Sequence, residues 1–202
     1  MSQRSSRLLI IFIRNPVHGK VKTRLAKSIG DDKALRVYRE LLEHTREVAA
    51  VTDSDRQVWY SEDTDEQDEW NQPLFSRHRQ RGESLGERME EAFALGFESG
   101  YNEIVIIGSD CPALKTGHLE EAFRELRRFD LVLGPSVDGG YYLLGMNRFY
   151  KELFRDMPWS GPELCGRTLD VAQELRLQVY KLETLNDIDT AEDLAAWQKR
   201  MR

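Results

Sequence analysis

A short basic loop is the most chemically informative feature of this chain. Residues 14–25, RNPVHGKVKTRL, directly follow an apolar run at residues 8–13, and a helix is predicted to begin between residues 21 and 24. Cations at that point oppose the helix dipole, whereas the backbone N–H groups attract anions. The loop therefore favours a phosphate ligand over the alternative, a solvated basic surface. The residues assigned to ligand binding here are Arg14, Gly19, Lys20, Lys22 and Arg24.

A carboxylate follows a second apolar run, at residues 104–107. Asp110 lies between Ser109 and Cys111, where the predicted strand ends. Proteins hold Mg²⁺ with one or two carboxylates together with substrate phosphates. Asp110 is therefore a candidate metal ligand, with Ser109 beside it as a substrate contact. The alternative is that Asp110 only caps a turn.

A third loop, at residues 134–142, places two glycines after Asp138. Gly139 and Gly140 would let the backbone approach a ligand closely, and they also suit an ordinary turn. Asp138 is a candidate general base, metal partner or acceptor for a hydroxyl group. A turn residue before a glycine pair is an equally good interpretation.

Two further carboxylates, Asp187 and Asp189, precede a predicted helix whose N-cap is Thr190. Because they alternate along an extended segment, they need not face the same way. On the sequence alone, Asp189 is best explained as a complement to the dipole of that helix.

A glycine-containing segment, RGESLGER at residues 81–88, could shape a pocket for a base or a sugar through Gly82 and Gly86. Ser84 and Glu87 in the same segment match a capping box, so a helix start explains it as well.

Apolar strands and amphipathic helices alternate along the chain, and this order predicts the framework that positions these loops. The pattern indicates one domain spanning residues 1–202, of the α/β class, built as a three-layer α/β/α sandwich around a mostly parallel mixed sheet. Continuously apolar runs at 7–13, 103–108 and 130–134 belong in the sheet interior. Ligands of such sheets bind at the carboxyl ends of the strands. The remaining strands are predicted at 57–60, 74–80, 141–146 and 177–182, and helices at 31–50, 84–100 and 116–128 and after residues 160 and 190.

The composition limits the classes of function. The 202 residues are 40% hydrophobic and carry a net charge of −6, which argues against a nucleic-acid binder that depends on bulk positive charge. No apolar run approaches the roughly 20 residues that cross a bilayer, and no signal peptide is evident. We therefore expect a cytoplasmic protein without a membrane or nucleic-acid partner, in which Cys111 and Cys165 are free thiols.

Six motifs in order carry a resemblance to a known family. The chain resembles the GT-A-like transferases associated with radical-SAM and selenodomain genes, which are labelled glycosyltransferases, and at greater distance the 2-phospho-L-lactate and molybdenum-cofactor guanylyltransferases. The near match covers almost the whole chain. The motifs are RNPVHGKVKTRL, RGESLGERM, IVIIGSDCPAL, LVLGPSVDGGYYLLGM, MPWSGPELCGRTL and LNDIDTAEDL.

This resemblance implies a nucleotide-diphospho-sugar transferase fold, which is GT-A and Rossmann-like, and a metal-dependent transferase. It implies that Lys22 and Arg24 meet phosphates and that Asp110 binds Mg²⁺ or Mn²⁺, with Asp189 as second ligand and Asp187 as the fallback. Many GT-A glycosyltransferases carry an Asp-x-Asp pair, whereas this chain has only Asp110 at that place. That departure moves the expectation from sugar transfer toward nucleotidyl transfer.

The expected reaction uses an activated nucleotide, either an NTP or an NDP-sugar, and a small-molecule acceptor. In nucleotidyl transfer an acceptor phosphate or carboxylate attacks the α-phosphate, and in glycosyl transfer Asp138 is the candidate base. The alternative is a nucleotide-binding partner protein without catalysis. The base, the acceptor and the oligomeric state stay open at this point.

Overall fold

The computed structural model describes residues 5–64 and 68–200. Within them the strands are β1 Arg7–Ile13, β2 Asp55–Tyr60, β3 Ser76–Arg79, β4 Glu103–Ile107, β5 Leu131–Pro135, β6 Tyr141–Met146 and β7 Val179–Lys181. The helices are α1 Thr23–Ile29, α2 Asp31–Ala50, α3 Leu85–Glu98, α4 Thr116–Glu125, α5 Leu164–Glu174 and α6 Ala191–Arg200, with a 3₁₀ turn at Lys151–Phe154.

The strands form one sheet in the order β3-β2-β1-β4-β6-β5-β7. Among the strands that the structure describes, only β6 runs antiparallel to its neighbours, β4 and β5, and the other pairings are parallel. The predicted fold class, an α/β protein with a mostly parallel mixed sheet, is confirmed. The three continuously apolar runs form β1, β4 and β5, which all lie inside the sheet as predicted.

Helices cover both faces of the sheet, because successive side chains of each buried strand point to opposite faces. Leu9 and Ile11 of β1 pack in one core with α2 and α4, whereas Leu8 and Ile10 pack in a second core with α3 and α5. A smaller cluster joins α1 and α6 to the outer side of α2. This arrangement gives the predicted three layers.

The sequence predicts Asp31 or Asp32 as the cap of the helix at 31–50 and a capping box from Ser160 to Glu163, and both predictions are wrong. The N-cap of α2 is Gly30, so Asp31 and Asp32 lie in its first turn without capping it. Ser160 lies in a turn with a positive φ of 65°, and α5 begins only at Leu164. Local sequence suggests a capping box there, but the segment is folded against the β5–β6 turn instead. By contrast, Ser84 caps α3 by accepting the Glu87 N–H, and Asp193 N–H donates to the Thr190 hydroxyl at the start of α6.

Two smaller expectations also have an outcome. Cys111 and Cys165 are free thiols, as predicted. Among the helices that the structure describes, none is long and apolar enough to cross a membrane. The sequence also predicts that Met201 shares one face of the last helix with Leu194 and Trp197, and Met201 lies outside the described residues.

Candidate functional site

Four loops meet at one edge of the sheet, because β1, β4, β5 and β7 all point their carboxyl ends to that edge. Backbone hydrogen bonds join three of these loops. The Ile188 N–H donates to the Asp110 carbonyl over 3.1 Å, and the Val137 N–H donates to the Leu185 carbonyl over 3.0 Å. The segment after β7 is therefore held between the loop after β4 and the turn after β5, and the candidate carboxylates are brought to one place.

Lys22 is the centre of this arrangement. Its Nζ donates to Asp110 Oδ2 and to Asp189 Oδ1, both at 3.1 Å. The Lys22 side chain is only 6% exposed, whereas those of Asp110 and Asp189 are 39% and 42% exposed. Burial alone would lower the pKa of Lys22, but the two carboxylates outweigh it and raise the pKa. The three residues, far apart in sequence, form one ion-pair cluster.

The backbone of Lys22 adopts a conformation that non-glycine residues rarely use. Its φ of 47° and ψ of 44° lie in the left-handed region, at the N-cap of α1. Such a conformation costs about 1 kcal/mol or more and persists only where surrounding contacts enforce it. Buried Val21 and Leu25 on either side anchor the loop, and the paired carboxylates hold the Lys22 side chain inward.

Asp187 lies beside this cluster, and one of its carboxylate oxygens lacks a hydrogen-bond partner. That oxygen, Oδ1, is buried. Burial, together with repulsion from Asp110 and Asp138, raises the pKa of Asp187 to about 8. Asp189 contacts the basic loop, whereas Asp187 faces inward. The two carboxylates therefore point in different directions, as their alternation along an extended segment allows.

Tyr38 is a residue of the site that the sequence analysis placed only in the core. Its hydroxyl accepts the Arg14 N–H over 2.9 Å and lies 3.0 Å from the Arg14 carbonyl and 3.2 Å from Ser109 Oγ. One helix side chain therefore ties the start of the basic loop to the segment that carries Asp110. The sequence feature that could have revealed this role is the tyrosine at an inward position of α2, because a buried tyrosine hydroxyl usually has a polar partner.

The other cations of the loop are exposed. Arg24 lies 3.5 Å from Asp189 with its side chain 72% exposed, and Lys20 pairs with Glu62 at 3.5 Å. Gly19 and the Arg14 side chain also face solvent. Because α1 has only seven residues, any attraction for an anion at this loop would come from the side-chain charges more than from the helix.

The turn after β5 satisfies its own carboxylate. Asp138 Oδ1 accepts the Ser136 hydroxyl, and the Gly140 N–H donates to it over 3.0 Å. A Cβ on Gly139 would lie 1.9 Å from the Pro162 carbonyl, and the Gly139 φ is 89°. Close packing against another backbone segment therefore explains this glycine, and the turn explains Asp138; their roles in catalysis and substrate binding stay predictions.

The segment with Gly82 and Gly86 follows β3 and packs against the region before α5. A Cβ on Gly86 would lie 2.2 Å from Trp159 Nε1, so this glycine admits an indole ring onto the start of α3. The Gly82 carbonyl accepts the Arg88 Nε–H over 2.9 Å. No sequence pattern pointed to the contact with Trp159, which arises from two loops distant in sequence.

The cluster offers hard oxygen donors of the kind that Mg²⁺ and Mn²⁺ prefer. Asp110 and Asp189 converge on one cation, Lys22 Nζ, and the unpartnered Asp187 Oδ1 lies beside them. Within residues 5–64 and 68–200, no three or more His, Cys, Asp or Glu residues form a group that could hold a metal ion. A divalent cation here would therefore depend on ligands from the substrate in addition to the protein.

Comparisons with known proteins identify the family and the fold of the chain. The model of the family DUF2064, described as an uncharacterized protein conserved in bacteria, matches residues 44–161, which is more than half of the chain. A curated relative, the 2-phospho-L-lactate guanylyltransferase of Methanocaldococcus jannaschii, is 25% identical over 93% of this chain and 81% of its own length.

Solved structures place the fold among nucleotide-using transferases. A protein from Desulfovibrio desulfuricans G20, assigned provisionally as a nucleotide-diphospho-sugar transferase, has a TM-score of 0.92 and 31% identity over 98% of this chain and 88% of its own. The 4-diphosphocytidyl-2C-methyl-D-erythritol synthase of Anaerococcus prevotii has a TM-score of 0.62 and 10% identity, over 97% of this chain and 96% of its own, which compares the folds alone. The predicted resemblance, fold and enzyme class, a transferase, are confirmed.

Proposed function

The chain belongs to the DUF2064 family, and we propose that it is a metal-dependent nucleotidyltransferase that joins the nucleoside monophosphate part of an NTP to a small acidic acceptor. The observation that carries this proposal is the placement of Lys22 Nζ at 3.1 Å from both Asp110 and Asp189. A cation-binding carboxylate pair and the basic loop thus share one point at the edge of the sheet.

The loop supplies the positive charge that a triphosphate needs. Lys22 and Arg24 contact the carboxylate pair, while Arg14 and Lys20 face solvent at the same loop. In the proposed reaction an oxygen of an acceptor phosphate or carboxylate bonds to the α-phosphorus, and the bond from the α-phosphorus to the leaving pyrophosphate oxygen breaks. The lysine and arginine side chains neutralise charge on the non-bridging and leaving oxygens.

Asp110 and Asp189 are the proposed ligands of Mg²⁺ or Mn²⁺, with Asp187 as the fallback for Asp189. A bound divalent cation would supply Lewis-acid neutralisation of the phosphates. Tyr38 holds the basic loop next to Ser109, so that the cations of that loop stay close to Asp110. Positioning of this kind supplies much of the rate in phosphoryl chemistry.

Nucleotidyl transfer is favoured over glycosyl transfer for two reasons. The curated relatives are named guanylyltransferases. In addition, Asp138, the candidate base for glycosyl transfer, has one carboxylate oxygen engaged by Ser136 and Gly140 in its own turn. The site in this proposal needs no general base, because acceptor phosphates and carboxylates are already ionised near neutral pH.

The test is a reaction screen of the purified protein. NTPs and NDP-sugars are incubated with Mg²⁺ or Mn²⁺ and with phosphorylated or carboxylated small acceptors, and pyrophosphate release and product mass are measured. We expect metal-dependent pyrophosphate release with at least one NTP, reduced at least about 100-fold by Asp110→Asn, which removes a charge and keeps the shape. The matched control is Asp170→Asn on the exposed face of α5.

Three outcomes would contradict the proposal. Release of a nucleoside diphosphate from an NDP-sugar would assign glycosyl transfer. Nucleotide binding without turnover against the whole acceptor set would favour the partner-protein alternative. Full activity of Asp110→Asn would return Asp110 to the role of a turn cap.

A further inference from the structure

We propose that Lys22 is an internal counter-ion that occupies the cation position of the carboxylate pair, so that a divalent cation must displace it before binding. This inference rests on the proposed function, which assigns Asp110 and Asp189 to the metal. It adds a coupling between metal and nucleotide that the assignment of the ligands does not contain.

The geometry shows Lys22 engaged with both carboxylates at once. Its Nζ contacts one oxygen of Asp110 and one of Asp189, and its side chain is almost fully buried. Arg24 also contacts Asp189, but at 3.5 Å and from solvent. Lys22 is therefore the cation placed between the two side chains, and Arg24 is peripheral.

An ammonium and a divalent cation cannot share this point. They would compete for the same carboxylate oxygens, and at such short range in a partly buried site they repel each other strongly. Binding of Mg²⁺ or Mn²⁺ must therefore break both hydrogen bonds of Lys22. The released ammonium would be left in a buried position without its partners, which is unfavourable.

Nucleotide phosphates would restore the partners of Lys22. A triphosphate that arrives with the metal offers oxygens to the released ammonium, so each ligand lowers the cost of binding the other. Such coupling is reciprocal by thermodynamic necessity. The metal-free, nucleotide-free protein is then the state in which Lys22 substitutes for the metal, and a metal without nucleotide binds weakly.

A simpler interpretation makes the opposite prediction. If Lys22 only organises Asp110 and Asp189 into a preformed metal site, its removal lets the carboxylates separate and weakens metal binding. If Lys22 is instead a competitor, its removal strengthens metal binding in the absence of nucleotide. The sign of one measured change therefore separates the two.

The experiment measures Mn²⁺ binding to the nucleotide-free protein by electron paramagnetic resonance of free Mn²⁺. Wild type, Lys22→Met and Arg24→Met are compared. We expect Lys22→Met to bind Mn²⁺ tighter on the order of 10-fold, the middle of the usual range of coupling between sites. Arg24→Met removes an equal charge from the same carboxylate cluster without emptying the central position, so it should change the affinity by less than about 3-fold.

A second variant keeps the test decisive if Lys22→Met fails to fold. Lys22→Gln keeps a hydrogen-bond donor without the charge, and circular dichroism checks both variants for native structure. If the folded variants bind Mn²⁺ no tighter than wild type, the inference is overturned. An equal gain in Arg24→Met also overturns it, since the effect would then be general electrostatics.

Failure of this inference is distinguishable from failure of the proposed function. Wild-type protein that catalyses metal-dependent pyrophosphate release while Lys22→Gln gains no Mn²⁺ affinity would retain the function and remove the counter-ion role. Absence of Mn²⁺ binding in every variant overturns the counter-ion role, and absence of turnover in wild type removes the function independently.

Discussion

Two carboxylates at the same edge of the sheet have opposite environments. Asp110, in the loop after β4, pairs with a buried lysine that comes from another loop. Asp138, in the turn after β5, is bound by the Ser136 hydroxyl and Gly140 N–H of its own turn. In the sequence the two have similar settings, because each follows a buried strand and lies in a glycine-containing loop.

The difference between them lies in the distance along the chain to their partners. Local partners hold one carboxylate oxygen of Asp138, as they do for many aspartates in turns. The side-chain partner of Asp110 is Lys22, which lies 88 residues away, and the hydrogen bond between Lys22 and Asp189 spans 167 residues. Burial of the Lys22 ammonium costs desolvation free energy that the carboxylates must offset, so stability alone does not explain this cluster.

Substitution of the two acidic positions should therefore have very different effects on nucleotide binding. We expect Asp189→Asn to weaken Mg²⁺-dependent NTP binding at least about 100-fold, or about 2.7 kcal/mol, since it removes one of two proposed metal ligands. Asp138→Asn should change it less than about 3-fold, because the amide oxygen still accepts the Gly140 N–H. Isothermal titration calorimetry with Mg²⁺ present measures both. If both variants lost NTP affinity equally, the proposed difference between the two acidic positions would be wrong.

Substitution of Gly139 tests whether the turn after β5 contributes to the stability of the fold. Gly139→Ala places a methyl group against the Pro162 carbonyl, and we expect it to lower the free energy of unfolding by about 2 kcal/mol. Gly100→Ala is the control, because Gly100 has a matching φ of 88° and open space around its Cβ position. It should cost only about 1 kcal/mol. Urea denaturation compares them, and a Gly139 variant no less stable than the control would deny that backbone contact a role.

In the region around Asp110, we expect the Tyr38 hydroxyl to hold the basic loop in place. Tyr38→Phe leaves the Arg14 N–H and the Ser109 hydroxyl without this partner, and we expect a loss of stability of about 1 kcal/mol and a several-fold weaker NTP affinity. Tyr180→Phe, whose hydroxyl donates to Glu121, is the control and should leave the NTP affinity unchanged. Thermal denaturation and calorimetry provide both readings. An unchanged NTP affinity in Tyr38→Phe would show that the loop is positioned without it.

Much of the fold could be predicted because its signals are local. The continuous apolar runs of β1, β4 and β5 indicate strands buried on both faces, and the inward positions of α2 recur at helical spacing. The errors arise where tertiary contacts override a local signal. Ser160 and Glu163 match a capping box, but packing of this segment against Gly139 and the adjoining turn overrides that preference. Local preference decides only where tertiary contacts do not compete.

The sequence by itself determined the α/β class, the loops that carry ionisable groups and the family resemblance, because periodicity and motif order are properties of neighbouring residues. The tertiary structure alone decided which ionisable groups meet. It placed Lys22 between Asp110 and Asp189, left Asp187 Oδ1 buried without a partner, and confined Asp138 to its own turn. The physical reason is that charge interactions fall off with distance and depend on burial, and neither the distance nor the burial can be read from residues that are far apart in the sequence.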